Sequence, residues 1–181
     1  MTKISFITTN PNKFNEMKEL FNTHGLELGW INRKLPEIQA STLEDVVKHA
    51  LSTAGMKNVF IEDAGFFIGA LGGFPGVYSR YVYDTIGNAG ILRLLEGEKN
   101  REARFVAVIG YRGEGEDIKL FKGETKGNVS LLPRGEKGFG YDPIFVPEGF
   151  EKTFGEDKVL KSQVSHRKRA AEKLIHYLTR S

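Results

Sequence analysis

The 181-residue sequence contains no cysteine. Disulfides, thiol nucleophiles and Cys-ligated zinc are thereby removed from its chemistry, and the absence agrees with a reducing compartment. No apolar run approaches the roughly 18 residues that a membrane-spanning helix needs, and no apolar signal-peptide core is found. A soluble, cytoplasmic protein is expected. Charge of one sign is not in excess, since 26 Lys and Arg stand against 23 Asp and Glu for a net +3. This balance permits a polyanionic partner without demanding one. A glycine-rich G-x-x-x-x-G-K-[ST] segment is missing, which argues against a Walker-type nucleotide loop. No low-complexity linker or repeat divides the chain, and its length suits one domain over residues 1–181.

Hydrophobic residues make up 40% and charged residues 27% of the chain, as in ordinary globular proteins. In the stretch SFITTNPNKFNEMKELF, residues 5–21, Ile4, Phe6 and Ile7 predict a strand, while Phe14, Met17, Leu20 and Phe21 recur at helical spacing. Asn10 suits an N-cap and Pro11 the first helical position. Ser41 and Glu44 have the spacing of a capping box, opening a helix through Val47, Ala50, Leu51 and Ala54 to about Gly55. NVFIEDAGFFIGAL reads as two short strands around residues 63–65, followed by a close-turning loop at Gly72, Gly73, Pro75 and Gly76. A short helix is expected over 88–95, a hairpin from 103–111 and 118–124 around RGEGED, and a further strand near 127–132. An amphipathic helix should start at Ser165, with Ala170, Leu174, Ile175 and Leu178 on one side. Helices alternating with strands, then a β-rich middle, predict an α/β domain on a mixed sheet.

Four groups of residues carry chemistry. The loop after the first strand gathers Thr8, Thr9, Asn10, Lys13 and a helix N-terminus, which suits a phosphate; the same residues would also serve simply to cap a helix. Glu37, in KLPEIQ, and Asp63, at the end of VFIED, are carboxylates from separate segments, as a hard cation such as Mg²⁺ requires. Neighbours on a strand face opposite ways. Asp63 is chosen over Glu62 to face the loop because Ala64 and Gly65 leave room beside it; the plainer alternative is a solvated Glu37 and a turn-capping Asp. In KGFGYDPIF, Gly138 and Gly140 bracket Phe139, and Tyr141, Asp142 and Pro143 offer an aromatic face, a carboxylate and a rigid turn. That set can stack a planar ring and bond its edge, or simply bury aromatics in a turn. Finally, His166, Arg167, Lys168 and Arg169 crowd a helix start, where the dipole disfavours cations. His166 and Arg167 are the candidates for a ligand; Lys168 and Arg169 are assigned to the solvated face.

Taken in order, TTNPNK, LPEIQ, IEDAGFFIGALGGFPGVYSRY, RGEKGFGYDPIF and KSQVSHRKRA resemble the inosine triphosphate pyrophosphatase family over about residues 3–178, and GFPGVYSRYVYDTIG is most similar to archaeal members. The resemblance implies hydrolysis of non-canonical purine nucleoside triphosphates to a monophosphate and pyrophosphate with Mg²⁺. It implies that Thr8, Asn10 and Lys13 hold the phosphate chain, that Glu37 and Asp63 hold metal, and that Asp63 helps to activate water. Phe139, Gly140, Tyr141, Asp142, Lys161, His166 and Arg167 would surround base and sugar. An elongated two-lobed α/β fold on a long mixed sheet, with the site in the cleft between the lobes, and a homodimer are implied as well. Two features depart from the pattern. Lys48 is displaced by one residue from the family's helix lysine, and Gly155 replaces the usual alanine in a segment one residue short before Lys161. The rivals are a related Maf-like pyrophosphatase and a non-catalytic module that holds nucleic acid through the basic C-terminal helix; the second would not need Glu37 and Asp63, and its binding would fall steeply with salt.

Overall fold

The first strand, β1 (Ile4–Ile7), buries Ile4, Phe6 and Ile7, and it gives way to helix α1 (Pro11–Thr23) where Asn10 caps the turn. The computed structural model describes residues 4–115 and 117–180. Lys3, where the resemblance begins, and Glu116, in the RGEGED loop, lie outside the described residues. The spacing of Phe14, Met17 and Phe21 turns one apolar stripe of α1 inward. Phe21 stacks on Phe60 at 5.6 Å between centroids, and Phe60 stacks on Phe6 at 4.6 Å. Such pairs add about 0.5–1.5 kcal/mol each beyond their burial.

Strand β2 (Leu28–Ile31) pairs parallel with β1, Ile4 lying opposite Leu28. Helix α2 (Leu43–Ala54) ends at Gly55, whose φ of 65° is left-handed. Its cap is Thr42, not the expected Ser41. Thr42 Oγ1 accepts the Asp45 N–H at 3.1 Å and donates to the Asp45 carboxylate at 2.6 Å. The box is thus displaced by one residue, and Glu44 pairs instead with Lys122 at 3.0 Å. Strand β3 (Val59–Ile68) is continuous where two short strands were expected. Gly65 does not break it. A Cβ there would lie 2.6 Å from the Gly76 carbonyl, so this glycine admits the backbone of β4 (Pro75–Gly76), which pairs antiparallel with β3.

Helices α3 (Ser79–Thr85) and α4 (Gly87–Leu94) lead to β5 (Glu102–Arg112) and β6 (Ile118–Val129). The strand expected near 127–132 is the far end of β6, whose Val129 lies opposite Phe145 of β7 (Phe145–Pro147). Helices α5 (Lys158–Val164) and α6 (His166–Arg180) follow, with Ser165 ending α5 through its N–H to the Lys161 carbonyl. Among the described residues, seven strands form one mixed sheet in the order β2-β1-β3-β5-β6-β7, with β4 beside β3. The α/β class is as expected.

The chain gathers into two compact units. The first comprises Met1–Asp63, Ala107–Gly123 and Arg167–Ser181. It buries Phe6, Met17, Phe21, Leu51, Phe60 and, from α6, Ala170, Ala171, Leu174 and Ile175. A Cβ at Gly110 would fall 2.5 Å from Val47 Cγ1, so α2 lies against β5 as closely as glycine allows. The second unit comprises Ala64–Val106 and Glu124–His166. Its core is aromatic: Phe66 lies 4.7 Å from Phe105 and 4.9 Å from Tyr141, and Phe145 lies 5.2 Å from Phe154. No helix among the described residues is long and apolar enough to cross a membrane.

Candidate active site

In the first unit, the loop between β1 and α1 is fixed by its own hydrogen bonds. The Thr8 N–H donates to the Ile31 carbonyl at 3.1 Å, and Trp30 Nε1 donates to the Thr8 carbonyl at 2.8 Å. Thr8 Oγ1 accepts the Asn10 N–H at 3.1 Å. Asn10 Oδ1 accepts the N–H groups of Asn12 at 2.9 Å and Lys13 at 3.2 Å, as the capping signal predicted. Thr8, Asn10 and Lys13 are therefore brought together at one helix start. Because Oδ1 is engaged by the helix, the amide nitrogen of Asn10 is the end left to address an anion.

Lys13 then leads to a residue that sequence reasoning passed over. Its Nζ lies 2.8 Å from Glu62 Oε2 and 3.4 Å from the Glu62 carbonyl. Glu62 Oε1 lies 3.2 Å from Nη2 of Arg167, whose Nη1 lies 2.6 Å from Glu16 Oε2. The Glu62 side chain has no exposed surface. Burial alone would raise its pKa, but the charges of Arg167 and Lys13 outweigh burial and hold it below the usual carboxylate value. The sequence reading chose Asp63 to face the loop after β1 and gave Glu62 no role, and in the structure Glu62 pairs with Lys13. The space at Gly65 itself is taken by the Gly76 carbonyl of β4. The missed signal was the buried pattern of β3 itself, in which Glu62 sits within an apolar run.

Asp63 is half-buried at the end of the first unit, and Glu37 is exposed in the loop before α2. Among the described residues, no group of three or more His, Cys, Asp or Glu side chains is assembled for a metal. Mg²⁺ does not need one, since it binds through one or two carboxylates together with substrate phosphates and water. Hard oxygen donors at Glu37 and Asp63 fit that chemistry. Lys48 lies on the exposed face of α2.

In the second unit, Asp142 is the centre of the KGFGYDPIF loop. Its Oδ2 accepts the Phe139 N–H at 2.8 Å and Lys161 Nζ at 2.7 Å, and that ammonium sits 4.1 Å from the Phe139 ring centroid. A Cβ on Gly138, at φ 78°, would lie 2.2 Å from the same Oδ2. Asn88 Nδ2 donates to the Gly140 carbonyl at 3.1 Å. Of the two aromatics, Phe139 is part-exposed and Tyr141 belongs to the core: its Oη donates to the Ser79 carbonyl at 2.8 Å, and burial followed by nearby Tyr83 raises its pKa well above the ordinary 10.0. The His166 ring stacks on Phe105 at 4.7 Å. Gly155 explains its own departure from the family pattern. A Cβ there would lie 2.8 Å from both the Arg134 carbonyl and Pro143 Cα, while the Gly155 N–H and carbonyl bond the Asp142 carbonyl and the Lys137 N–H. At the start of α6, His166 and Arg167 are buried and Arg169 is exposed, as expected, whereas Lys168, assigned to the solvated face, is half-buried beside Glu172.

The described residues thus bring together Thr8, Asn10, Lys13 and Arg167 with Glu62 in one unit, and Phe139, Gly140, Asp142 and Lys161 in the other. A model described as the Ham1 family matches residues 4–177. The dITP/XTP pyrophosphatase of Pyrococcus horikoshii is 48% identical over 180 residues, 97% of this chain and 96% of its own length. That of Methanopyrus kandleri is 45% identical over 97% of this chain and 95% of its own length. Among solved structures, the Staphylococcus aureus Ham1 protein is similar at a TM-score of 0.82 and 32% identity, covering 98% of each chain. With matches that run through both units and through every motif named above, this chain belongs to the Ham1 family.

Proposed function

We propose that this chain hydrolyses the non-canonical purine nucleotides ITP, dITP and XTP to the nucleoside monophosphate and pyrophosphate, and so cleanses the nucleotide pool. The observation that carries the reading is full-length identity of 48% to a dITP/XTP pyrophosphatase, in a chain whose first helix start presents Thr8, Asn10 and Lys13 together.

The triphosphate lies against that loop. The Asn10 amide nitrogen, the Thr8 hydroxyl and the Lys13 ammonium bind its oxygens, with the field of the α1 N-terminus behind them. Displacement at phosphorus depends mainly on positioning and charge neutralisation, which this set supplies. Glu37 and Asp63 would hold Mg²⁺, which when bound neutralises phosphate charge and acidifies water. Asp63 orients the attacking water and takes its proton while the bond between the α- and β-phosphates breaks. Phe139, with Gly140, gives the base a flat neighbour, and Lys161 and Asp142 hold that ring in place. Tyr141 supports the loop from the core, and His166 and Arg167 complete the surroundings of base and sugar. The protein works as a cytoplasmic homodimer without a stable nucleic-acid partner, and size-exclusion chromatography with light scattering checks its oligomeric state.

The test is product analysis over a panel of nucleoside triphosphates with and without Mg²⁺. Pyrophosphate should appear with ITP, dITP and XTP and be minimal with ATP. Orthophosphate as the primary product, in an assay free of contaminating pyrophosphatase, would refute the reading.

A further inference from the structure

Four charged side chains of the first unit pair with one another. Lys13 comes from α1, Glu62 from β3, Arg167 from α6 and Glu16 from α1, and their formal charges cancel. Glu62 stands between the two cations: one carboxylate oxygen serves Lys13 and the other serves Arg167. A lysine ammonium has three donors on a flexible four-carbon stem. The Lys13 ammonium makes two contacts with Glu62, an ion pair with the carboxylate at 2.8 Å and a hydrogen bond to the main-chain carbonyl at 3.4 Å. Glu62 thus sets where that ammonium stands.

We propose that Glu62 is a positioning residue for the hydrolysis. Its carboxylate holds the Lys13 ammonium in place for the phosphate chain and at the same time holds Arg167 at the start of α6. The inference rests on the reading of Lys13 as a phosphate ligand. Glutamine in place of Glu62 keeps the shape but offers one oxygen and one NH₂, so it can accept from only one of the two cations and sets a donor against the other. Lys13 or Arg167 must then turn away. A misplacement of about 1 Å at a reacting centre costs on the order of 100-fold in rate.

The test is a double-mutant cycle on the full chain, reading kcat and KM with dITP. Lys13→Met should lower kcat/KM by about 100-fold or more, as loss of a charge-stabilising donor does. Glu62→Gln should lower it by roughly 10- to 100-fold when Lys13 is present, mostly in kcat. In the Lys13→Met background it should cost several-fold less, because only its hold on Arg167 is left to lose. An equal loss in both backgrounds overturns the proposal while leaving Lys13 as a phosphate ligand. An unchanged kcat/KM in Lys13→Met instead removes the reading on which the proposal rests, and the proposal with it. The Mg²⁺ concentration for half-maximal rate should stay within about twofold in Glu62→Gln; a tenfold rise would make Glu62 a metal ligand and overturn its positioning role. Should circular dichroism show that Glu62→Gln does not fold, the same cycle with Glu62→Asp decides. That variant keeps the charge but draws it back by one methylene, so non-additivity with Lys13→Met supports the proposal and additivity overturns it.

Discussion

Lys161 holds its ammonium 2.7 Å from the Asp142 carboxylate, with side-chain exposures of only 5% and 3%. The pair joins α5 to the loop that presents Phe139, and the same Asp142 oxygen accepts the Phe139 N–H. An ion pair this deeply buried is costly to break by removing one partner, because the other is left charged and undersolvated, at about 3–5 kcal/mol. Asp142→Asn should therefore lower the unfolding free energy by about that amount in urea denaturation at pH 7. A loss under about 1 kcal/mol would show that the Asn oxygen alone suffices for the loop.

Asp63→Asn keeps size and shape but loses the negative charge assigned to cation and water. Turnover of dITP should nearly vanish while circular dichroism and thermal melting stay close to wild type. Wild-type turnover at saturating Mg²⁺ would make Asp63 a structural residue. Chelation of the wild-type enzyme with EDTA should abolish pyrophosphate release, and added Mg²⁺ should restore it.

Arg167 has donors and no acceptor, so it can meet the 6-keto oxygen of hypoxanthine or xanthine but not the 6-amino group of adenine. Its two terminal nitrogens already pair with Glu16 and Glu62. A guanidinium has five N–H donors, and those two contacts do not exhaust them. Arg167→Ala should narrow the dITP-over-dATP preference in kcat/KM by roughly 10- to 150-fold, equivalent to about 1.5–3 kcal/mol. Equal losses on both substrates would assign Arg167 to the buried charge set alone.

Tyr141 makes a pH prediction whose sign is fixed by its environment. Burial raises its pKa above 10.0, so the folded state keeps the phenol proton where the unfolded chain releases it. Its stabilisation is complete below pH 10.0 and is lost as the pH climbs towards the raised folded value. Tyr141→Phe should cost about 1 kcal/mol at pH 7, from the lost bond to the Ser79 carbonyl, and should weaken the alkaline fall in stability. Tyr111, whose pKa burial also raises, should contribute to the fall that remains. An alkaline limb unchanged in Tyr141→Phe would contradict the assignment.

Gly155→Ala restores the residue the family pattern favours, yet here it should destabilise. The new methyl would meet backbone atoms of Arg134 and Pro143 at 2.8 Å, and backbone cannot move aside as a side chain can. A cost of about 1–3 kcal/mol in thermal or urea unfolding is expected.

What the sequence made legible was local. Asn10, Pro11 and the Phe14–Met17–Phe21 spacing state α1 and its cap outright, and Gly55 ends α2 where the helix was expected to stop. Errors came where a local signal answered to a distant partner or competed with a neighbouring one. Gly65 looked like a strand break because nothing near it announces β4, and Thr42 took the cap from Ser41 because Asp45 returns a second hydrogen bond. Strand β2 and helix α5 went unpredicted: LGWI is short and includes a glycine, and the cap of α5, Asp157 accepting the Leu160 N–H at 3.0 Å, was overlooked. The motif residues of the site were readable because they lie in dense, ordered clusters. Glu62 was not, since its meaning depends on Arg167, more than a hundred residues away in the chain.

The path of the chain between its two units has a practical consequence. It crosses after Asp63, Val106, Gly123 and His166, so β3, β5 and β6 each begin in one unit and finish in the other. Neither unit corresponds to a stretch of gene that could be expressed alone, and a cut anywhere before the last crossing leaves at least one of them without an element. Deletion mapping is therefore uninformative for this protein wherever the cut falls within or before β6, because such a fragment would fail for want of strands rather than for want of a site. Function has to be apportioned by point substitution in the intact chain.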